Sequence, residues 1–184
     1  MLTTYVGFLR GLNVGGKNKV NMLDLRTAIE TFGYQKITTV GNTGIIIFNT
    51  EQLIKDEELA NQLTEVIGIR IQLVLMQLNE LEKLVARLPD WWNQRDDWRH
   101  NTIFFLEEYN ASRLQPIVDH LDRTIEQAIL IENTLFWSSA FKERKLYYRS
   151  QYAKLLKNDA YPYMTIRNAN TLNKVIKKAK EINN

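Results

Sequence analysis

The amino-acid sequence predicts an α+β protein made as a tandem duplication of two ferredoxin-like lobes with extra helices. Apolar residues recur at alternate positions in some segments and at helical spacing in others, which indicates a mixture of strands and helices. The order β-α-β-β-α-β is expected twice, on either side of a polar, tryptophan-rich stretch at residues 90–101. At 184 residues the chain suits two small lobes or one compact domain.

The first lobe is expected to cover residues 1–89. Residues 3–10 alternate aromatic with small or apolar residues and predict a strand. Asn21 can cap a helix that ends at Gly33. The other expected elements are strands at 36–40, 45–48 and 70–75, a helix ended by Gly68, and an extra amphipathic helix halted by Pro89.

The second lobe is expected to cover residues 102–184, after a junction at 90–101. Asn110 can cap its first helix, and the apolar and aromatic residues at 146–148 predict a short additional strand. The remaining expected elements are strands at 102–106, 126–131, 134–138 and 163–166, and helices at 151–157 and 170–181.

Composition narrows the classes of function. The chain has no cysteine, which excludes disulfides, thiolate metal sites and cysteine nucleophiles. His100 and His120 lack the spacing of a metal pair, so neither a metal nor another cofactor is expected. No apolar run approaches the roughly 18–20 residues of a membrane span, so we expect a cytoplasmic protein with no membrane partner. The net charge of +3 is mild, and four lysines near residues 174–180 suit the end of a helix.

The segment from Arg10 to Lys19 combines glycines and basic residues between a strand and a helix. Glycine-rich turns expose backbone N–H groups, and a helix N-terminus adds positive potential, so this pattern favours an anion. The alternative is a tight turn in which glycine only permits a positive φ. The candidate ligand-binding residues of this segment are Arg10, Gly11, Asn13, Gly15, Gly16, Lys17 and Asn18.

Residues 11–17 satisfy the G-x-x-x-x-G-K spacing of a phosphate loop. The next residue is Asn18, however, where magnesium binding needs a hydroxyl, and the helix is expected to begin only near Met22. No apolar strand ends in an aspartate to complete such a metal site. The pattern therefore argues against an ATPase while leaving an anion site open.

The opening Leu-Arg-Gly-Leu-Asn-Val-Gly-Gly-Lys-Asn at residues 9–18 closely resembles the signature of the bacterial domain-of-unknown-function family 1697. The resemblance extends through Met22 and residues 24–26, the hairpin at Gly44, the strand at 102–106 and the closing motif at 165–171. It implies an α+β fold of two ferredoxin-like halves and implies no established activity. The catalytic residues, the substrate and the oligomeric state therefore stay unknown at this point.

Two positions depart from the family pattern. Members commonly carry Ser-Gly-Asn where this chain has Thr43, Gly44 and Ile45, and a tryptophan where it has Ala169. If the asparagine replaced by Ile45 were catalytic, this chain would be inactive or altered. These departures put any inherited site in doubt.

The closing motif adds Arg167 and Asn168 as candidate ligand-binding residues. Asn168 or Asn170 can cap the last helix, and Arg167 can pair with a carboxylate or an anion. One interpretation is structural, namely capping with an ion pair. The other is that Arg10, Lys17 and Arg167 converge on one anionic ligand.

Aromatic residues raise a second functional class, a nucleic-acid or protein-interaction module without catalysis. Tyr147, Tyr148 and Arg149, together with Trp91, Trp92 and Trp98, are the candidates for base stacking or for an interface. The RNA-recognition signature is absent, and packing in the core or junction is the favoured interpretation of the set. Binding of a small anionic or phosphorylated ligand at residues 11–19 is the leading hypothesis.

Overall fold

The computed structural model describes residues 2–13 and 19–183, and the structural statements below concern these residues. The strands are β1 (Thr3–Leu9), β2 (Gln35–Thr39), β3 (Ile45–Thr50), β4 (Leu73–Gln77), β5 (Trp98–Phe105), β6 (Glu126–Ile131), β7 (Thr134–Ala140) and β8 (Met164–Asn168). The helices are α1 (Met22–Glu30), α2 (Asp56–Ile67), α3 (Leu78–Val85), α4 (Gln115–Asp119), α5 (Arg144–Arg149), α6 (Gln151–Leu155) and α7 (Ala169–Asn183). Short 3-10 helices occupy Ala111–Leu114 and Tyr161–Tyr163.

The chain divides into two compact units, one formed by Met1–Lys83 with Asn173–Asn184 and the other by Leu84–Leu172. Each unit contains one antiparallel four-stranded sheet, in the order β2-β3-β1-β4 or β6-β7-β5-β8. The predicted α+β class is confirmed, and each unit follows the expected β-α-β-β-α-β order. That the units are duplicated ferredoxin-like lobes stays a prediction.

The core of the first unit lies between its sheet and helices α1 and α2. Alternate residues of the central strands, such as Leu9 of β1 and Phe48 of β3, point to this side and are fully buried. Leu25 of α1 and Leu59 and Leu63 of α2 pack against them. Burying a large apolar side chain contributes about 1.5–3 kcal/mol, so these contacts fix the two helices on the sheet.

The last part of α7 belongs to the first unit. The carbonyl of Ile182 accepts hydrogen bonds from the side-chain amide of Asn49 (2.9 Å) and the amine of Lys36 (3.0 Å). Carbonyl groups at the end of a helix have no partner within the helix, and positive groups interact favourably with them. The end of α7 is therefore tied to β2 and β3.

The core of the second unit lies between its sheet and helices α4 and α6. Ile103 and Phe105 of β5 and Trp137 of β7 are buried on this side of the sheet. Tyr152 and Leu155 of α6 pack against them. Within the described part of the chain, no helix combines the length and the apolar content that a membrane span requires.

The structure corrects the strand predicted at residues 146–148, which lie in α5. The chain must pass from β7 to β8, and these two strands flank β5 on opposite sides. The connection therefore crosses a face of the sheet, where a helix can bury Leu146 and Tyr147 against the core while Tyr148 points outward. Adjacent aromatic residues suggested a strand because the sequence does not show this crossing.

The second unit also begins earlier than the expected lobe. Strand β5 begins at Trp98, inside the predicted junction at 90–101, and Trp98–Asn101 pair with residues 137–140 of β7. The junction residues belong to the second unit, whereas the chain from Asn173 groups with the first. The start of β5 is polar, which makes the segment resemble a loop in sequence. Its inward side chains form hydrogen bonds with residues of other elements.

Candidate functional site

A cavity of about 500 Å³ adjoins the end of the glycine-rich segment and the start of α1. Its described lining consists of Asn13, Lys19, Val20, Asn21, Met22 and Asn42. Most of these residues belong to the loop between β1 and α1, and Asn42 belongs to the turn between β2 and β3. The described lining carries one ammonium group, that of Lys19, and the carboxamides of three asparagines.

Asn13 holds the two ends of the segment together. Its side-chain oxygen accepts from the backbone N–H of Val20 (2.8 Å), and its amide nitrogen donates to the carbonyls of Val20 and Asn42 (both 2.8 Å). Asn13 adopts φ 55, a left-handed conformation that asparagine tolerates better than most residues. The side chain thus joins the segment to the β2–β3 turn and shapes one wall of the cavity.

The start of α1 contributes the helix dipole to this region. Asn21 caps the helix by accepting from the backbone N–H of Leu23 (2.8 Å), as predicted. Positive partial charge at a helix N-terminus favours an anion, and Lys19, which is exposed, adds a full positive charge. Asp24 in the first turn acts in the opposite sense. Removing the Asp24 charge should therefore strengthen any anion binding here.

Four of the sequence-predicted ligand-binding residues, Gly15, Gly16, Lys17 and Asn18, lie outside the described residues. Arg10 directly follows β1, is half-buried, and its backbone N–H donates to the carbonyl of Gln72 (2.8 Å). Gly11 adopts φ +68, where glycine is favoured. The predicted roles of these residues toward a ligand stay predictions.

Arg167 and Asn168 lie in the second unit. Asn168 accepts from the backbone N–H of Thr171 (2.8 Å) and so caps α7, one of the two capping candidates. Arg167 pairs with Thr102 across β8 and β5, its Nη1 donates to the carbonyl of Ile166 (2.8 Å), and burial lowers the pKa of its guanidinium to about 10. Convergence of Arg167 with Arg10 and Lys17 stays a prediction.

Both departures from the family pattern are buried. Ile45 begins β3 and is 0% exposed, and Ala169 is buried at the start of α7. An apolar side chain is therefore accommodated at each position by the surrounding core.

A buried serine–histidine contact was missed by sequence reasoning. His100 Nδ1 lies 2.7 Å from Ser138 Oγ, and His100 Nε2 lies 2.8 Å from the carbonyl of Arg95. A carbonyl only accepts, so Nε2 donates to it, and the serine hydroxyl donates to Nδ1. Ser138 is 1% exposed, and Trp92 packs edge-on against His100, so a substrate cannot reach the hydroxyl in this conformation. The pair serves to satisfy polar groups between β5 and β7.

Glu126 is the other buried polar centre of the second unit. Its carboxylate accepts from the backbone N–H groups of Gln151 (2.7 Å) and Tyr152 (3.1 Å) and from the indole of Trp137 (3.1 Å). The first two donors are N–H groups of the first turn of α6, which have no acceptor within the helix, so the carboxylate anchors that helix to β6. Nothing in the local sequence distinguishes Glu126 from a solvated strand residue.

Tyr152 of α6 predicts a pH dependence of stability. Burial, followed by the nearby Tyr147, raises the pKa of Tyr152 to about 12, against about 10 in an unfolded chain. Between these values the unfolded state loses the proton first, so stability falls as the pH rises. We expect Tyr152→Phe to reduce the slope of the free energy of unfolding by about 1.4 kcal/mol per pH unit in this range.

The measurement is urea denaturation at several pH values between about 9 and 12, a range that includes the pKa of tyrosine in the unfolded chain and that of folded Tyr152. Tyr148→Phe, at an exposed position, is the matched control and should keep the wild-type slope. An unchanged slope in Tyr152→Phe would contradict the assignment. Burial also raises the pKa of Tyr34 and Tyr109, so part of the slope should persist.

The candidate aromatic residues separate into two groups. Trp98 is buried, and Trp92 packs against Phe136 and His100. These two tryptophans therefore agree with the packing interpretation. Tyr148, in contrast, is 63% exposed at the surface of α5. The sequence could not separate these groups, because it did not show which face of the helix is buried.

Comparison with known proteins gives a family match and a structural match. The family model described as Protein of unknown function (DUF1697) matches residues 2–136. Among solved structures, the conserved bacterial protein SP0830 from Streptococcus pneumoniae is 29% identical, with a TM-score of 0.82 and coverage of 97% of this chain and 99% of that chain. No protein of curated function matches. Since the family match spans more than half of the sequence, the chain belongs to the DUF1697 family of proteins of unknown function.

Proposed function

We propose that this chain binds a small anionic ligand, such as a phosphorylated metabolite, at residues 11–19 and the adjoining start of α1. The observation that carries the proposal is the cavity of about 500 Å³ beside Lys19 and the capped N-terminus of α1. Ligand sites for metabolite-sized molecules have volumes of this order. A helix N-terminus with a neighbouring lysine supplies both hydrogen-bond donors and positive charge.

The residues have distinct roles in this proposal. Lys19, with Arg10 and Lys17, supplies the positive charge, and Gly11, Gly15 and Gly16 let the ligand approach the backbone closely. Further polar contacts come from Asn18 and from Asn42, which lines the cavity. Asn13 acts indirectly, because its three hydrogen bonds hold the loop and the β2–β3 turn together. The proposal concerns binding, and no residue is assigned a catalytic role.

The test is a thermal-shift screen of the full chain against inorganic phosphate, sugar phosphates, nucleotides and phosphorylated coenzymes. A ligand at about 100 times its dissociation constant should add about 2.7 kcal/mol of stability, which shifts the melting temperature by several degrees. We expect Lys19→Ala to weaken binding about tenfold or more, since a charge-assisted hydrogen bond contributes about 1.5–3 kcal/mol. Asp24→Asn should instead strengthen it.

Lys55→Ala is the matched control. Lys55 is exposed and immediately precedes α2, but the first turn of that helix carries Asp56, Glu57 and Glu58, which disfavour an anion. Its removal should leave affinity unchanged. The proposal fails if no phosphorylated compound shifts the melting temperature, or if Lys19→Ala and Lys55→Ala bind the hit as tightly as the wild type.

A further inference from the structure

We propose that a surface of the second unit, made by Arg99 and residues 141–149, binds single-stranded nucleic acid. We call it the basic-aromatic surface. It comprises the exposed end of β5, the residues that follow β7, and helix α5. It shares no residue with the anion site of the first unit, so the two proposals stand or fall separately.

The aromatic rings of this surface form a continuous series of contacts. The guanidinium of Arg99 lies 3.4 Å from the ring centre of Phe141, which packs at 5.8 Å against Tyr147. Tyr147 packs at 5.6 Å against Tyr148, whose hydroxyl lies 3.2 Å from Arg144 Nη2. Three aromatic rings thus lie in series with a guanidinium at each end, an arrangement that places phosphate partners beside stacking partners for bases.

The rings of Phe141 and Tyr148 are exposed, and both pack against Tyr147, which is anchored on the core. Phe141 is 39% exposed and Tyr148 is 63% exposed. Tyr147 is partly buried and contacts the core residue Tyr152, with 6.5 Å between ring centres. The exposed rings are therefore held against the core and are not on a free loop, which reduces the entropy lost when a base stacks on them.

This surface is locally basic. Residues 141–149 contain four basic residues and one glutamate, a net charge of +3 that equals the net charge of the whole protein. Asp122 faces Arg149 at 3.6 Å and offsets its charge, and Glu143 directly precedes α5. Lys142, Arg144 and Lys145, together with Arg99, remain as the cations available to a polyanion.

These features favour a single strand over other anionic partners. A single strand offers both phosphates and the faces of unstacked bases, whereas a duplex hides those faces and an acidic peptide has none. The surface lies mainly on a helix, whereas the RNA-recognition signature is carried by the strands of a sheet.

The test is fluorescence anisotropy of the full chain with labelled oligothymidylate and oligouridylate of about twelve nucleotides, within the site size of single-strand binders. If about four cations contact phosphates, the logarithm of the affinity should fall with the logarithm of salt concentration with a slope near −3. Lys142→Gln with Lys145→Gln should reduce that slope to about −1.5. Tyr148→Ala should weaken binding about fivefold or more, as expected when a stacked base is lost.

Two matched controls remove the same chemistry elsewhere. Lys174→Gln with Lys177→Gln deletes two exposed lysines from α7 and should preserve the slope. Tyr161→Ala deletes another exposed tyrosine, 43% exposed, and should preserve the affinity. The substitutions of all four variants are at exposed positions, and the circular dichroism spectra and melting temperatures of these variants should match the wild type.

Several outcomes would overturn the proposal. These are no binding of either oligonucleotide at about 50 mM salt, equal effects of the two lysine pairs, or unchanged affinity in Tyr148→Ala. Equal affinity for a labelled oligoglutamate of the same length would show that the rings play no part. Sedimentation with phosphatidylserine vesicles without oligonucleotide binding would identify a lipid surface as the partner.

Discussion

Glu126→Ala is expected to destabilise the protein by about 3–5 kcal/mol. The substitution leaves three donors without an acceptor, namely the part-buried N–H group of Gln151, the buried N–H group of Tyr152 and the buried indole of Trp137. Each unsatisfied buried group costs about 1–3 kcal/mol, and the missing side chain adds a cavity. Helix α6 has only one turn and a half, so loss of its anchor should also loosen the packing of Tyr152 and Leu155.

The measurement is urea denaturation followed by tryptophan fluorescence. All four tryptophans lie in the second unit, so fluorescence reports on the unit that contains Glu126. Glu126→Gln should give a smaller loss, because the amide keeps the shape and one acceptor oxygen. Glu107→Ala, at an exposed position of the same unit, should change the free energy of unfolding by less than about 0.5 kcal/mol. A loss in Glu126→Ala no larger than in this control would refute the anchoring role.

Gly44→Ala is the second substitution with a large expected cost, about 2–5 kcal/mol. Gly44 adopts φ +75, which a Cβ atom makes unfavourable by about 1–2 kcal/mol. A Cβ there would also lie 2.9 Å from both Leu9 Cβ and Leu12 Cδ1, and such overpacking adds about 1–3 kcal/mol. The 2.8 Å hydrogen bond from the Leu9 N–H to the Gly44 carbonyl holds the two segments at this short separation.

Gly41→Ala separates the two contributions. Gly41 occupies the same turn with φ +63, but a Cβ there would meet no atom within 4 Å, so only the backbone term applies. Because the first unit lacks tryptophan, the comparison requires far-ultraviolet circular dichroism during urea denaturation. Equal losses in the two variants would show that the close approach of Leu9 and Leu12 is not a constraint.

Periodicity predicted most of the first unit. Strands β1 and β3 and the cap and end of α1 appear within a few residues of their expected positions, because apolar alternation and capping are local signals. The structure begins β5 four residues before the predicted start at 102, and residues 146–148, which the sequence predicts as a strand, lie in α5. In both cases the deciding factor is non-local, either pairing with β7 or the crossing between β7 and β8, and short-range patterns do not encode it.

The candidate site shows the same limit. Glycine density identified the segment beside the cavity, and sequence alone named Asn13 and the capping Asn21. The carboxylate of Glu126 and the pair of His100 with Ser138 went unnoticed, because their partners are distant in sequence. Packing of α6 brings Gln151 to Glu126 across 25 residues, and the register of β5 and β7 brings Ser138 to His100 across 38 residues. The sequence names Tyr148 and Trp98 alike as candidates for base stacking or an interface, and only the structure shows that Tyr148 is exposed and Trp98 is buried.

The hydrogen bonds of Lys36 and Asn49 to Ile182 have a consequence for biosynthesis. The first unit takes its final residues from Asn173 onward, so it is interrupted in the polypeptide by the whole of the second unit. A ribosome releases the second unit, which is continuous, before it releases the residues that complete the first. During translation an N-terminal domain usually folds first. Here the second unit can be completed before the first, because the first unit needs residues from the end of the chain. Until residue 182 emerges from the ribosome, Lys36 of β2 and Asn49 of β3 lack their contact with α7. A chaperone that binds nascent chains would therefore act on the first unit mainly during this interval.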